Sequence, residues 1–302
     1  MGTKTKIAVA IAAASAAAWA GTKAFVTPQK RDEKQALQYD RPVVLAHRGG
    51  SHLAPEQTLA AFNNAADLGV DGFELDIRLT KDEEIVVFHD EYIDRTSDGS
   101  GRIADMTLEE LQQFNFGHQF VDLEGNFSYR NNPQQIVTLK ELFEQFPNMF
   151  INIDMKDAPD TYEGGLMPSK LWHLLEECNA KQRVVVTSFF DEQIDRFNLY
   201  AQNEIALGAG KGEVTKAYTA YTSQFKHLYS PKVDVFQIPR HFGSIIALDT
   251  KGFIQFLNNL NVPVMYWTLD TEEEIREVLE RGARGIVTDR PDIAMNIIHE
   301  NK

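Results

Sequence analysis

Residues 72–91 read GFELDIRLTKDEEIVVFHDE and contain two short stretches rich in β-branched and aromatic residues. These stretches, GFELDI and EIVVFH, predict two β-strands. About four polar residues separate them, whereas a connection between parallel strands needs roughly a dozen or more. The two strands are therefore predicted to form an antiparallel hairpin. If Thr80 pairs with Ile85, Asp76 lies opposite His89, with Cβ atoms about 5 Å apart.

The remaining chain from Arg41 onward alternates between short apolar runs and amphipathic segments. The Thr-x-x-Glu pairs Thr138/Glu141 and Thr271/Glu274 are typical of helix starts. The further predicted strands are VVLAH, MFINIDM, RVVVTSF, EIALGA, DVFQIP, VPVMYWT and GIVTD. Such alternation over about 250 residues predicts a parallel sheet covered by helices.

A closed (β/α)₈ barrel, the TIM-barrel architecture, agrees with this length. A doubly wound sheet is the alternative, although no strand leads into a Gly-x-Gly-x-x-Gly turn. Nine candidate strands are one more than the eight of such a barrel. The predicted hairpin accounts for the extra strand.

The first strand of the hairpin carries two acidic residues on one face. Side chains alternate along a strand, so Glu74 and Asp76 point one way while the apolar residues between and beside them point the other. An isolated pair of this kind is usually part of a polar surface. Here both acids lie between apolar residues at a strand end, which favours a functional cluster of two carboxylates and the His89 imidazole at one end of the barrel.

Composition excludes several classes of function. The chain has 302 residues with 44 acidic and 30 basic side chains, and its formal net charge is −14. This balance argues against nucleic acid as a partner, because binding to a phosphate backbone depends on lysine and arginine. An anionic substrate would have to be attracted by local positive charge, such as a bound metal. The single cysteine, Cys178, excludes an intramolecular disulfide and a cysteine-rich zinc site.

The N-terminus is predicted to lie outside the globular domain. Residues 1–26 contain a basic start and about 20 mostly apolar residues, which favours an uncleaved membrane anchor and a location at the cell membrane. A signal peptide cleaved after Ala20 is the alternative and would give a secreted protein. An ordinary soluble helix is disfavoured because the segment has no polar face. Residues 27–40 are predicted to be a linker, and residues 41–302 the barrel domain.

Several motifs together resemble one family. The stretches AHRGG, APEQT, ELDIRLTKDEEIVVFHD, INIDMK, YWTLD and IVTDRP are similar to those of the glycerophosphodiester phosphodiesterases, TIM-barrel relatives of the phosphatidylinositol-specific phospholipases C. The resemblance extends from about Val43 to Pro291 and is most specific between His47 and Asp90. The family's usual Pro-Glu-Asn-Thr reads Pro-Glu-Gln-Thr here, with Gln57 in place of asparagine.

The resemblance implies metal-dependent hydrolysis of small glycerophosphodiesters to glycerol 3-phosphate and an alcohol. Glu74 and Asp76, joined by Asp154 in the position of the family's third acidic ligand, are expected to bind Ca²⁺ or Mg²⁺, since these hard cations prefer oxygen ligands. His47 and His89 are the expected acid and base, because imidazole titrates near neutral pH.

The other expected site residues contact the substrate or position its neighbours. Arg48 and Lys156 are expected to bind phosphate, and Trp267 to face the substrate. Glu56 either contacts metal or substrate or orients Arg48 through an ion pair. An aromatic-rich insertion, about residues 91–136, is expected to cover the mouth of the site and to govern substrate choice.

Two other functions remain open at this stage. A lysophospholipase D that acts on membrane lysophospholipids would agree with the predicted anchor. A catalytically silent barrel that binds phosphate-bearing ligands is disfavoured by the presence of both histidines and of the acidic pair.

Overall fold

The computed structural model describes residues 17–223, 225–243 and 245–300, together with residues 2, 5 and 15. The strands of these residues are β1 (Val43–His47), β2 (Gly72–Leu79), β3 (Ile85–Val87), β4 (Val137–Thr138), β5 (Phe150–Met155), β6 (Val184–Thr187), β7 (Ala206–Leu207), β8 (Phe236–Ile238), β9 (His241–Phe242), β10 (Ile246–Ala247), β11 (Val264–Tyr266) and β12 (Gly285–Thr288). The helices from Leu59 onward are α1 (Leu59–Asp67), α2 (Leu108–Leu111), α3 (Leu139–Gln145), α4 (Tyr162–Glu177), α5 (Asp191–Ala201), α6 (Lys211–Thr222), α7 (Lys251–Asn258), α8 (Glu272–Glu280) and α9 (Pro291–Glu300). Short 3₁₀ turns occupy Gln35–Leu37, Ile93–Arg95, Ile103–Asp105, Lys181–Arg183 and Lys226–Leu228.

Parallel strands form the centre of the molecule, in the order β7-β6-β5-β2-β1-β12-β11-β8. The two ends of this path are joined by a parallel bridge between Gly208 and Val235, and the N–H of Ala209 donates to the carbonyl of Val235 at 3.0 Å. A helix precedes or follows each strand along the chain. The predicted α/β class is therefore confirmed, and the arrangement is TIM-like. A doubly wound sheet, the alternative, would have left both edges unpaired.

The predicted hairpin is present, but its predicted register is wrong by one residue. Strand β2 pairs antiparallel with β3, and Leu79, not Thr80, pairs with Ile85. The loop has three residues and ends at Glu83, whose φ of +62° is left-handed, and the N–H of Thr80 donates to the carbonyl of Glu84. A three-residue loop with a left-handed last residue is a common hairpin geometry. Asp76 consequently lies opposite the residue before His89.

The extra strand leaves the barrel wall. Strand β3 pairs with β4 on its other side, and these strands carry a second small core under the insertion. That core contains Val86, Phe88, Ile93, Ile103, Leu111, Phe116 and Ile136. Thr107 begins α2 with a capping box to Glu110, so the insertion of residues 91–136 packs as a compact unit beside the barrel.

The predicted helix starts agree with the structure. Thr138 forms a complete capping box with Glu141, and the hydroxyl of Thr271 accepts the N–H of Glu274. Helix α8 ends before Gly282, whose φ of +102° is typical of the residue after a helix.

Along the direction of the strands, the inner face of the barrel has an apolar part followed by a polar part. Its lower part is one apolar cluster that contains Val43, Leu45, Phe150, Val185, Ala206, Val235, Met265 and Val287. Two or four residues further along β1, β5, β6 and β8, the inward positions are polar, since strand side chains alternate with a period of two. These residues are His47, Asn152, Asp154, Thr187 and Gln237. The carboxyl ends of the strands therefore carry the polar residues, and in TIM barrels this face holds the active site.

The N-terminal segment contacts the barrel. Residues 17–25 are helical, and the hydroxyl of Thr22 lies 2.9 Å from Nε2 of His227. Within the described residues, no helix combines the length and apolar character that a membrane span needs. Half of the predicted anchor, including residues 6–14, lies outside the described residues, so the structure lends the anchor no support.

The segment predicted to be a linker, residues 27–40, also contacts the barrel. Ala36 is buried in the lower apolar cluster, and the Tyr39 ring packs edge-on against Phe150. Arg31 forms an ion pair with Asp234 at 2.8 Å, and that carboxylate is buried and accepts the N–H of Leu207 at 2.9 Å. The segment thus covers the end of the barrel opposite the polar residues.

This docking predicts that Arg31→Ala lowers the free energy of unfolding by about 2–3 kcal/mol, because it leaves Asp234 buried without its cation. The loss is expected to be smaller than for a fully buried pair, since the Arg31 side chain is 20% exposed. Arg276→Ala, which removes the solvent-exposed pair with Glu272, is the matched control and should cost less than about 1 kcal/mol. Urea unfolding measures both, and equal losses would contradict a structural role for the segment.

Candidate active site

The turn after β1 presents a histidine and an arginine to the barrel mouth. Arg48, Gly49 and Gly50 all have positive φ, at +52°, +86° and +91°. A Cβ on Gly49 would lie 2.7 Å from Cβ of Ala61, so only glycine fits this left-handed position against α1. The N–H of Arg48 donates to the carbonyl of Glu74 at 2.8 Å. Strand β1 pairs in parallel with β2, with His47 opposite Glu74, and the two glycines allow the tight turn that follows His47.

Three carboxylates meet at the carboxyl ends of β2 and β5. The side chains of Glu74, Asp76 and Asp154 are buried, and each offers an oxygen within 4.8 Å of the others. Asp76 pairs in register with Asp154 across the parallel strands, which brings them together despite their separation in sequence. The predicted acidic set is therefore assembled in one place.

This acidic cluster is suited to a divalent cation. Oε2 of Glu74 and Oδ1 of Asp154 are buried and have no hydrogen-bond partner among the described residues. Unpartnered buried oxygens are costly unless a cation or donor satisfies them. Ca²⁺ and Mg²⁺ bind oxygen ligands at about 2.0–2.6 Å, a distance at which one ion can contact oxygens with the observed separation.

Two cationic side chains partly neutralise the cluster. The Lys156 ammonium lies 2.6 Å from Oδ2 of Asp154 and 2.8 Å from Oδ1 of Asp76, and Arg48 Nε lies 3.2 Å from the other oxygen of Asp76. Lys156, predicted to contact phosphate, thus forms ion pairs with two of the carboxylates. Burial opposes ionisation of Asp76, but the two cations outweigh it and hold its pKa below the ordinary value.

The other two carboxyl groups are shifted in the opposite direction. Burial and then the charge of Asp76 raise the pKa of Glu74 above its ordinary value. Burial also raises the pKa of Asp154, against the opposing effect of Lys156. Two cations therefore do not fully compensate three buried carboxylates, and a bound metal ion would favour their ionised forms.

Each predicted catalytic histidine is held by an aspartate at Nδ1. His47 Nδ1 lies 2.7 Å from Oδ1 of Asp289, and His89 Nδ1 lies 2.6 Å from Oδ1 of Asp90. Because a carboxylate only accepts, Nδ1 carries the proton and Nε2 is left for substrate. Both imidazoles line the same cavity.

The two imidazoles differ in their electrostatic surroundings. Burial opposes protonation of His47, but its hydrogen bond to Asp289 and the charge of Glu74 outweigh burial and raise its pKa above the ordinary value. Burial lowers the pKa of His89, and the nearby Arg48 charge adds to this effect.

The structure places Glu56 beside Arg48. Its Oε1 accepts a hydrogen bond from Arg48 Nη1 at 2.9 Å, and it also contacts Arg95. Glu56 does not belong to the acidic cluster. Of the two alternatives open from sequence, the geometry corresponds to orientation of Arg48.

The cavity between these residues has a volume of about 220 Å³. Trp267 lines it, donates from Nε1 to the carbonyl of Gln237 and packs edge-on against Phe189. None of the lining residues belongs to the insertion. The aromatic wall of this cavity comes from Phe189 and Trp267, and Phe116 of the insertion packs in the small core beside β3 and β4. The role of the insertion aromatics as a lid stays a prediction.

Sequence reasoning missed three residues that hold others in place. Asp289 and Asp90 belong to the quoted stretches IVTDRP and FHD, yet nothing in a single sequence pairs them with particular histidines. Gln57, which has a left-handed φ of +60°, donates from Nε2 to Oδ2 of Asp76 at 2.7 Å. Its place next to Glu56 in the motif was the available signal.

Comparison with known proteins agrees with the site. The model of the glycerophosphoryl diester phosphodiesterase family matches residues 47–293. A glycerophosphodiester phosphodiesterase of Caldanaerobacter subterraneus subsp. tengcongensis is 30% identical over 262 residues, which cover 86% of this chain and 99% of that protein.

Two solved structures have the same fold. One is the glycerophosphoryl diester phosphodiesterase domain of a Mycobacterium tuberculosis protein, with a TM-score of 0.73 and 20% identity over 86% of this chain and 100% of that one. The other is a phosphodiesterase of Oleispira antarctica in complex with the product sn-glycerol-3-phosphate, with a TM-score of 0.66 and 24% identity over 86% of this chain and 97% of that one.

The geometry of the acidic cluster predicts that Ca²⁺ or Mg²⁺ raises the melting temperature over that in chelator, because only the folded state offers the assembled site. Asp154→Asn should abolish most of this rise and should stabilise the protein in chelator, because it removes one of the mutually repelling charges. Thermal unfolding with and without metal measures both effects.

Asp270→Asn is the matched control. Asp270 belongs to a second group of potential ligands, with His52 and Asp289, and its Oδ1 already accepts the hydroxyl of Thr288 and the N–H of Asp289. An asparagine can accept the same bonds, so the metal-induced rise should be unchanged. A rise lost in Asp270→Asn and retained in Asp154→Asn would place the ion in the other group.

Proposed function

The chain belongs to the glycerophosphoryl diester phosphodiesterase family and is an enzyme of that class, and we propose that it hydrolyses glycerophosphodiesters to glycerol 3-phosphate and an alcohol. We further propose that the reaction depends on a divalent cation and on His47 and His89 as acid and base. The family membership supports the reaction class, and the arrangement of charged groups in the cavity supports the mechanism.

The proposal is supported above all by the two aspartate-held histidines, which line the same cavity as the acidic cluster. A phosphodiester needs charge stabilisation at its non-bridging oxygens, a base for the nucleophile and an acid for the leaving alkoxide. The cavity contains groups suited to all three tasks. A silent ligand-binding barrel would not require two imidazoles fixed in this way.

Glu74, Asp76 and Asp154 are the residues that would hold the cation, since their unpartnered oxygens and carboxylate chemistry fit Ca²⁺ or Mg²⁺. A bound cation supplies positive charge to the phosphoryl oxygens as a Lewis acid. Gln57 keeps the Asp76 carboxylate oriented by its hydrogen bond, and Lys156 limits the repulsion between Asp76 and Asp154.

Arg48 binds the phosphate in this mechanism. Its Nη1 donates to Glu56, and Nε forms an ion pair with Asp76 at 3.2 Å without a hydrogen bond. Among the described residues, Nη2 makes no hydrogen bond to the protein. The two carboxylates thus fix the plane of the guanidinium, and Nη2 is available as a donor to a phosphate oxygen. Fixing the plane in advance reduces the entropy lost when substrate binds.

The histidines move the protons. One Nε2 accepts the proton of the attacking hydroxyl group or water, and the other donates a proton to the leaving alkoxide oxygen. Asp289 and Asp90 hold each ring in the tautomer that leaves Nε2 facing the cavity and stabilise the imidazolium that forms. A free hydroxyl of the glycerol group lies close to phosphorus, so a transient cyclic phosphate can precede the final product.

A small polar substrate agrees best with the cavity. Its volume of about 220 Å³ is below the roughly 300–1,000 Å³ of sites for drug-sized ligands. A monoacyl substrate, as in the lysophospholipase D alternative, would have to extend its chain outside this space. We therefore propose deacylated glycerophosphodiesters as the substrates.

Location in the cell stays a prediction. We propose that residues 1–26 direct the chain to the membrane or, if cleaved after Ala20, out of the cell, because the segment has a basic start followed by mostly apolar residues.

The roles of the histidines predict that His47→Ala and His89→Ala each lower kcat by at least about 10²-fold, the usual contribution of one general acid or base. The double variant should lose much less than the product of the two single effects, as is typical of residues that act as a unit. Steady-state kinetics with glycerophosphocholine provides the measurement. His52→Ala is the control, because His52 does not line the cavity, and an equal loss there would contradict the assignment.

The proposed bond cleavage predicts glycerol 3-phosphate and free alcohol as the final products. Phosphorus NMR of a glycerophosphocholine reaction run to completion should show glycerol 3-phosphate, with any cyclic phosphate only transient. Excess chelator should stop the reaction, and added Ca²⁺ or Mg²⁺ should restore it. Phosphocholine as the product, or turnover confined to acylated substrates, would contradict the proposed reaction.

A further inference from the structure

One insertion residue contacts both of the loops that carry predicted catalytic groups. Arg95, in the 3₁₀ turn Ile93–Arg95, donates from Nε to Oδ2 of Asp90 at 2.5 Å. Its two terminal nitrogens donate to the two oxygens of Glu56, Nη1 to Oε2 at 2.8 Å and Nη2 to Oε1 at 2.7 Å. The guanidinium therefore uses all three of its nitrogens on two carboxylates that come from different parts of the chain.

Each of these carboxylates also holds a side chain with a proposed catalytic role. Glu56 accepts Arg48 Nη1 at 2.9 Å, and Asp90 accepts the Nδ1 proton of His89 at 2.6 Å. Arg95 thus lies at the centre of a chain of five charged groups that runs from the phosphate-binding arginine to one of the two histidines.

We propose that Arg95 is a positioning residue that fixes Arg48 and His89 relative to each other through Glu56 and Asp90. The inference deepens the proposed function, because it assigns a role in the same reaction to a residue that does not line the cavity. The insertion would then contribute to the reaction by carrying the guanidinium that connects Glu56 with Asp90.

The shape of the guanidinium is essential to this role. A planar fork matches both oxygens of Glu56 and leaves Nε for Asp90, whereas a lysine ammonium is a point charge that cannot fix both orientations. The Arg95 side chain is 48% exposed, Asp90 is 26% exposed and Glu56 only 15%. Exposed ion pairs contribute little to stability, so the main consequence of losing Arg95 should be misplacement of reacting groups.

Arg95 and Arg48 also stabilise the ionised form of Glu56. Burial opposes ionisation of Glu56, but Arg95 and Arg48 outweigh it and keep its pKa below the ordinary value. Without Arg95, Glu56 retains only Arg48, and Asp90 retains only His89. Both carboxylates are then free to rotate away from the geometry that sets the phosphate site and the imidazole.

The first experiment compares Arg95→Gln, Arg95→Lys and Arg102→Gln by steady-state kinetics with glycerophosphocholine and metal. Arg102 is the matched control, because it lies in the same insertion and pairs with Glu91 at 2.8 Å and Glu163 at 3.4 Å. Arg95→Gln should lower kcat/KM by about 10–100-fold, the usual cost of removing a supporting contact. Arg95→Lys should recover only part of this loss, and Arg102→Gln should stay within about twofold of wild type.

The second experiment repeats Arg95→Gln in the Glu56→Gln/Asp90→Asn background. A residue that acts only through these carboxylates has nothing further to lose once they are neutral. The added substitution should therefore change kcat/KM by less than about twofold, a non-additive result typical of coupled residues.

A spectroscopic readout distinguishes positioning from general stabilisation. In Arg95→Gln the ¹⁵N signals of the His89 imidazole should shift or broaden, while those of His47, which is held by Asp289, should not move. The melting temperatures of Arg95→Gln and Arg102→Gln should be equal within a few degrees.

Wild-type kinetics in Arg95→Gln, an equal loss in Arg102→Gln, or a further loss in the Glu56→Gln/Asp90→Asn background would each overturn the proposal. An inactive wild-type enzyme would instead refute the proposed function. In that case the NMR comparison still decides whether Arg95 orients His89, so the two failures are distinguishable.

Discussion

The repulsion among three buried carboxylates is the constraint on which the site depends. Glu74, Asp76 and Asp154 lie within reach of one ion, and burial of several like charges is costly unless positive charge compensates them. Lys156 and Arg48 supply two positive charges from the protein, and two carboxylate oxygens remain without a partner. A bound cation would satisfy these two oxygens and offset the remaining repulsion between the carboxylates.

The buried charges of the site and the apolar core that stabilises the fold lie in different parts of the barrel. The lower inner face and the layer between strands and helices are apolar, and their burial supplies the main driving force for folding. The polar residues of the cavity lie toward the carboxyl ends of the strands, and on β2 and β5 they alternate with apolar residues. The segment of residues 27–40 covers the opposite end, with Ala36 and Tyr39 packed there, so the apolar interior is shielded from water at the end that lacks the site.

The side chains that are predicted to react are each held by another side chain of the site. His47 is oriented by Asp289, His89 by Asp90, Arg48 by Glu56 and Asp76 by Gln57. These contacts join different loops and strand ends of the chain. Arg95 connects two of them, because it contacts both Glu56, which holds Arg48, and Asp90, which holds His89. Such support fixes the side chains in position before a ligand binds, and in enzymes fixed dipoles and charges of this kind lower an activation barrier.

The sequence by itself determined the eight barrel strands in chain order, the presence of the hairpin, and the placement of Glu74 and Asp76 on one face, because these depend on local alternation and on loop length. It did not predict β4, β9 and β10, since strands of two residues are too short to show a periodic pattern. It did not determine the hairpin register, since one left-handed residue, Glu83, shortened the loop by one position. It also left the role of Glu56 open, and it could not pair Asp289 with His47, 242 positions apart. Only the tertiary structure decided these points. They depend on which strand ends become neighbours when the barrel closes, and on which charged side chains are then close enough to pair.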